Sequence, residues 1–96
     1  MQQPDGLIAV LEDSTARTDE RDDAAMDLGD YDEPSALEAL LSVAHDPSTP
    51  GIVLASAGES IARILLRSQR MTVAGVDDLL PAAHAEFTAT MNATLG

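Results

Sequence analysis

The sequence contains no cysteine, no lysine and no tryptophan, and its only aromatic residues are Tyr31 and Phe87. The lack of cysteine excludes disulfides, thiolate nucleophiles and cysteine-ligated zinc sites. Val and Ile together number nine, against 28 Ala and Leu. Strands favour β-branched and aromatic residues, whereas Ala and Leu are strong helix formers. The composition therefore predicts an all-α fold.

Long apolar runs are also lacking. The apolar run at residues 7–11 spans five positions and follows no basic residue, unlike a secretory signal. No run approaches the roughly 20 residues that a membrane-spanning helix needs. A length of 96 residues suits a single domain. We therefore expect one cytoplasmic helical domain over 1–96, in which about 1–14 forms a capping helix or is partly disordered.

Positive charge is scarce. Seventeen Asp and Glu stand against five Arg, which gives a net charge of −12. The phosphates of nucleic acids and anionic lipids repel such a chain, so neither is expected to bind it. A basic protein is the expected partner, because opposite charge accelerates association. The alternative is that the acidic residues only keep a small protein soluble.

The apolar pattern predicts four to five helices and one short turn. Periodicity is clearest after Pro34, which suits a first helical position; Leu37, Leu40, Leu41 and Ala44 then recur at i, i+3, i+4 and i+7. Gly29 is expected to end the second helix as a C′ glycine, and Gly58 to permit a close helix crossing. The predicted helices cover residues 4–12, 15–28, 34 to about 45, 52–68 and 81–94, with a turn at 76–80.

Residues 23–41 (DAAMDLGDYDEPSALEALL) resemble the helix–turn–helix unit of HEAT-like repeats. In that family an Ala-rich helix ends at Leu-Gly, an acidic turn follows, and a second helix continues with Ala-Leu-x-x-Leu-Leu. Residues 52–68 with 76–80 resemble a second unit, in which Arg-Ser-Gln-Arg replaces the Leu-Gly-Asp turn. The resemblance implies an antiparallel helical stack that binds other proteins. Small acidic members are similar to immunity proteins of bacterial toxin systems.

Neither histidine has the surroundings of a metal ligand. His84 has Thr88 at i+4, and His45 lies at a predicted helix end, where the helix dipole favours it. The acidic stretch 30–33 begins like a calcium loop, but Pro34, Ser35 and Leu41 stand where an oxygen ligand, a glycine and a glutamate are needed. No metal or cofactor is expected.

Catalytic motifs are absent too. Ser56 and Ser60 lie outside any Gly-x-Ser-x-Gly pattern, and no strand is predicted before them. They are interpreted as small residues at a helix crossing. Glu59 and Arg63, four residues apart, are expected to form a surface ion pair. The sequence thus predicts a protein that is not an enzyme.

One surface has a distinct character. On a helical wheel four aspartates lie opposite the stripe of Ala24, Ala25 and Leu28, and the acidic sequence continues through the following turn. Met26 and Tyr31 are expected to be exposed among these charges, as anchors for a partner. The alternative is a merely solvated face. The predicted partner-binding residues, called the acidic face below, are Asp19, Asp22, Asp23, Met26, Asp27, Asp30, Tyr31, Asp32 and Glu33.

The function predicted from these features is that of a small acidic module that binds a basic protein, most concretely an immunity or inhibitor protein that masks a toxin. The alternative is a self-assembling structural or regulatory module, in which the Ala/Gly face of the fourth helix forms a homodimer.

Overall fold

The structure is a computed structural model that describes residues 2–95; Met1 and Gly96 of the predicted domain lie outside the described residues. Within 2–95 the chain forms five α-helices and no strand, which confirms the predicted all-α class. The helices are α1 (Asp5–Glu12), α2 (Thr18–Leu28), α3 (Pro34–Ala44), α4 (Gly51–Arg67) and α5 (Pro81–Leu95).

Helix α4 is the centre of the packing. It contacts α2, α3 and α5, while α1 packs on α2 and α3. The largest fully buried side chains come from α1–α4 and are Leu11, Leu28, Leu40, Val53, Ser60, Ile61 and Leu65. Helix α5 adds Ala83, Phe87 and Met91 to the same core cluster. The Cα radius of gyration is 12.0 Å, close to the roughly 12–13 Å expected of a folded domain of this length. All the helices therefore share one core.

Helix α2 begins later than the pattern predicts. Residues 15–17 belong to the loop, because the Asp13 carboxylate accepts hydrogen bonds from the backbone N–H (2.9 Å) and the hydroxyl (2.6 Å) of Thr15. Such a local side-chain turn competes with helix formation. Arg17 then has an extended backbone and immediately precedes the helix.

Arg21 is a buried charged residue. It is 7% exposed, and its Nε donates to the Leu11 carbonyl oxygen at 3.0 Å. That carbonyl belongs to the last turn of α1, where no intrahelical donor follows. The head of Arg21 therefore joins α2 to the end of α1.

The connector between α4 and α5, residues 68–80, returns along α3. Residues 76–80, predicted as a short turn, form turns and no helix, with Val76 and Leu79 buried in the core. The backbone N–H of Leu80 donates to the carbonyl oxygen of Ala44 at 3.1 Å. The connector therefore packs beside α3 and is hydrogen-bonded to its end.

The close crossing predicted at Gly58 is present between α4 and α5. A Cβ atom built on Gly58 is 2.0 Å from the carbonyl oxygen of Ala83. Together with Ala57 and Ala62, Gly58 is buried. The small-residue stripe of α4 is thus used within the chain, and it is not a surface open to a second copy.

Candidate functional site

The predicted acidic face divides into an outward set and a set that is turned toward α4. Asp23 and Asp27, one turn apart on α2, and Glu33, at the start of α3, are exposed. None of these three carboxylates forms an ion pair within residues 2–95. Asp19 is exposed as well, and Arg17 Nη2 lies 2.7 Å from its Oδ2. The outward set therefore retains its negative charge at Asp23, Asp27 and Glu33.

Three other carboxylates of the acidic face bind side chains of α4. Asp22 accepts a hydrogen bond from the Ser56 hydroxyl, and Asp30 forms an ion pair with Arg63. In addition, Arg67 Nε donates to Asp32 Oδ1 at 2.8 Å. These carboxylates belong to the contact between α4 and the α2–α3 region, and two of them are neutralised there.

The same polar side of α4 also binds the end of α2. The last four carbonyl groups of a helix have no intrahelical partner. Ser60 Oγ donates to the Ala25 carbonyl at 2.7 Å, and Arg63 Nη1 donates to the Met26 carbonyl at 3.2 Å. Positive charge at this position also complements the negative end of the helix dipole.

Arg67 extends this arrangement into the α2–α3 turn. Its Nη1 donates to the Gly29 carbonyl at 2.9 Å, and its Nη2 donates to the Tyr31 carbonyl at 3.3 Å. We call Ser56, Ser60, Arg63 and Arg67 the α4 polar row. The predicted surface pair of Glu59 with Arg63 is wrong, because the guanidinium binds Asp30 and the Met26 carbonyl instead.

Gly29 ends α2 for a reason other than the predicted one. Its φ of −62° is right-handed, so it is not a left-handed C′ glycine. A Cβ atom at Gly29 would lie 2.7 Å from Arg63 Nη1 and 2.8 Å from Ser60 Oγ. The absence of a side chain lets the α4 polar row reach the carbonyls of α2.

The two apolar members of the acidic face are not free anchors. Met26 and Tyr31 are half-buried, and Tyr31 packs against the hydrophobic core. The expectation that both are exposed is therefore wrong. Substitution of Tyr31 is expected to reduce stability as well as any binding, since core contacts are lost.

An apolar groove of about 250 Å³ opens beside the acidic face. We call it the α3 groove; it lies between α3, the end of α4 and the connector. Its floor consists of Leu37, Leu41, Ile64 and Val73. Its charged lining residues are Asp32, Glu33 and Glu38, from α3 and the turn before it, and Arg70, from the connector. The acidic face thus ends at a cavity that sequence patterns did not indicate.

His45 joins the end of α3 to the connector. Its Nδ1 is 2.7 Å from the Leu41 carbonyl oxygen, and its Nε2 is 2.8 Å from that of Gly75 and 3.1 Å from Asp78 Oδ1. All three oxygens are acceptors, so the doubly protonated ring satisfies every contact. Partial burial alone lowers the pKa of His45, but the hydrogen bonds to Asp78, Leu41 and Gly75 outweigh it and raise the pKa above 6.5.

His84, the second histidine, is exposed, and its Nδ1 is 3.5 Å from the Thr88 hydroxyl. Within residues 2–95, no three His, Asp or Glu side chains are grouped as a metal site requires. No helix in the same range combines the length and the apolar character needed to cross a bilayer.

The sequence signal for the α4 polar row is the spacing of its members. Ser56, Ser60, Arg63 and Arg67 follow at i, i+4, i+7 and i+11, which places them on one helical face. The aspartates within residues 22–32 carry the negative charge that complements the two arginines of this row. Read together, the two patterns indicate a polar contact between these segments.

Comparison with protein-family models, with curated proteins and with solved structures gives no match. The HEAT-like resemblance therefore stays a prediction from the sequence, and the candidate site is defined by the geometry of the acidic face and the α3 groove.

Proposed function

We propose that this chain is a small, non-catalytic acidic module that binds a basic protein, in the manner of an immunity or inhibitor protein that masks a toxin domain. The acidic face provides the docking surface in this proposal. The contact forms first through charge and is then held by packing, as in other electrostatically steered complexes.

The observation that carries the proposal is how four of the five arginines are used. Arg17, Arg63 and Arg67 pair with carboxylates of the acidic face, and Arg21 is buried against α1. Intramolecular pairing therefore neutralises one part of the face and leaves another part bare. On the acidic face, the carboxylates that are exposed and form no ion pair within residues 2–95 are Asp23, Asp27 and Glu33.

Bare carboxylates on one surface repel one another, and a cationic partner relieves that repulsion. The interaction is expected to be sensitive to salt, because the Debye length falls to about 8 Å at physiological ionic strength. A net charge of −12 also opposes the association of two copies of this chain. The homodimer alternative gains no support from α4, whose small residues are covered by α5.

The test begins with capture of partners on the immobilised chain at low salt, elution with salt, and identification of the eluted proteins. The association rate with the captured partner is then measured by surface plasmon resonance. The test variant is Asp23→Asn/Asp27→Asn/Glu33→Gln. The control is Glu12→Gln/Asp77→Asn/Glu86→Gln, which changes the net charge equally at three other exposed carboxylates.

The proposal predicts an association rate at least about tenfold lower for the test variant, against less than about threefold for the control. Equal effects of the two variants would mean that the acidic face is only a solvated surface and not the docking site. Partners that are not basic, or binding that is insensitive to salt, would contradict the proposal itself. A dimer that depends on concentration in size-exclusion chromatography, with no partner captured, would favour self-assembly.

A further inference from the structure

The α3 groove has the size of a side-chain receptor. Its volume of about 250 Å³ is below the roughly 300–1,000 Å³ of typical small-molecule pockets. One or two bulky apolar side chains of another protein suit such a space better than a cofactor does. The groove therefore resembles in size the anchor sites found at protein interfaces, where a few buried side chains supply most of the affinity.

The floor of the groove leaves apolar surface open to solvent. Leu41 and Val73 are half-buried although both pack against the core. Met71, between the groove residues Arg70 and Val73, is 63% exposed and is one of two large hydrophobic side chains so exposed in the described chain. Apolar surface of this kind, bordered by charge, is typical of interaction sites.

The charges on the rim indicate what occupies the groove. Glu33 and Glu38 are exposed and form no ion pair within residues 2–95, whereas Asp32 is neutralised by Arg67. Arg70, in the connector, donates from Nε to Ser68 Oγ at 3.0 Å. The α3 side of the rim therefore offers two bare carboxylates directly beside the apolar floor.

We infer that the α3 groove receives an amphipathic segment of the basic partner, with a large apolar side chain on Leu41 and Val73 and a Lys or Arg on Glu33 and Glu38. This inference rests on the proposed function and names the anchor point of that interface. Charge complementarity selects the occupant, because an acidic segment or a second copy of this chain is repelled by the rim. Glu33 belongs to both the acidic face and the groove, so one partner surface reaches both.

The probe is a synthetic amphipathic helical peptide of Leu and Lys, about 15 residues long, which is near the minimum for helix formation in water. A second peptide, with every Leu replaced by Gln, keeps the same charge without apolar anchors. Binding is followed by NMR on the full chain with labelled methyl groups. Titrations are performed at low salt and again near 0.5 M salt.

The inference predicts that the Leu peptide shifts the methyl signals of Leu37, Leu41, Ile64 and Val73. Its binding should persist at high salt, where charge is screened to within a few ångströms, and should exceed that of the Gln peptide at least about tenfold. Val73→Ser should weaken it about tenfold. This variant lies in the connector, and circular dichroism verifies that its helices remain.

The charge requirement is tested by Glu33→Gln/Glu38→Gln against Glu12→Gln/Glu86→Gln, which changes the net charge equally away from the groove. The first should weaken binding of the Leu peptide at low salt several-fold more than the second. Equal affinity for the two peptides, or methyl shifts confined to α2, would refute the inference that the α3 groove receives the apolar side chain. The acidic face would remain a docking surface in that case. The proposed function fails on different results, namely a captured partner that is not basic or binding that does not depend on salt.

Discussion

Gly58 provides the sharpest test of the packing, because the obstacle to a side chain at this position is backbone. A Cβ atom on Gly58 would lie 2.0 Å from the carbonyl oxygen of Ala83 and 2.8 Å from its carbonyl carbon. Ordinary van der Waals contact begins near 3.4–4 Å. Since no side-chain rotation relieves this overlap, Gly58→Ala must push α4 and α5 apart along their crossing.

Two effects determine the size of the change. Overpacking a well-packed core costs about 1–3 kcal/mol, and the upper end applies where backbone is the obstacle. Replacing a mid-helix Gly by Ala returns about 0.5–1 kcal/mol of helix propensity. We expect Gly58→Ala to lower the free energy of unfolding by about 2 kcal/mol, or the melting temperature by about 8–16 °C at about 4–8 °C per kcal/mol.

The measurement is urea unfolding followed by circular dichroism, with Gly51→Ala as the control in the same helix. Nothing lies within 4 Å of a Cβ atom at Gly51, so this change should be neutral or stabilise by up to about 1 kcal/mol. A Gly58→Ala protein at least as stable as the parent, with an unchanged dependence on urea, would refute the described crossing of α4 and α5.

Three further predictions concern α3 and the polar contacts. Leu40 is fully buried, so Leu40→Ala should lower the free energy of unfolding by about 2–5 kcal/mol. Glu38 is exposed on the same helix, so Glu38→Ala should lower it by less than about 0.5 kcal/mol in the same urea titration. The folded-state pKa of His45 is raised above 6.5, so its stabilising contribution is fully present below the unfolded pKa and is lost as the pH rises through the folded pKa. The urea midpoint, measured from below the unfolded pKa to above the folded pKa, should fall more with rising pH for the parent than for His45→Gln. Parallel curves of midpoint against pH for the two proteins would contradict the contacts of the imidazolium ring. Arg67→Gln should accelerate amide hydrogen exchange in the α2–α3 turn, while Arg70→Gln, outside that contact, should leave it unchanged.

The sequence predicted those parts of the fold that depend on local pattern. In α3, Pro34 at the first position and the leucine spacing specify both the start of the helix and its buried side. Helix α4 has equally regular apolar spacing, and in α5 the residues Ala83, Phe87 and Met91, four positions apart, are buried as that spacing indicates. The start of α2 was missed because a hydrogen-bonded turn at Asp13 outweighs a helical pattern that has little apolar character at that end.

The candidate site was predicted less well than the fold, and the reason is geometric. A helical wheel orders residues around the axis of their own helix, but it holds no information on which second helix lies against that side. Asp30 and Asp32 are paired, unlike Asp27, because of Arg63 and Arg67, which follow more than 30 residues later in the chain.

The electrostatic field of the acidic face therefore depends on ion pairs with α4 as well as on amino-acid composition. Because Arg63 and Arg67 neutralise the end near the α2–α3 turn, the exposed uncompensated charge on the face lies at Asp23, Asp27 and Glu33. Removing either arginine would add a bare carboxylate to the face and at the same time release the carbonyls that it binds. The α4 polar row thus sets the shape of the turn and the pattern of charge through the same contacts, so a basic partner would meet a surface whose geometry and charge depend on α4.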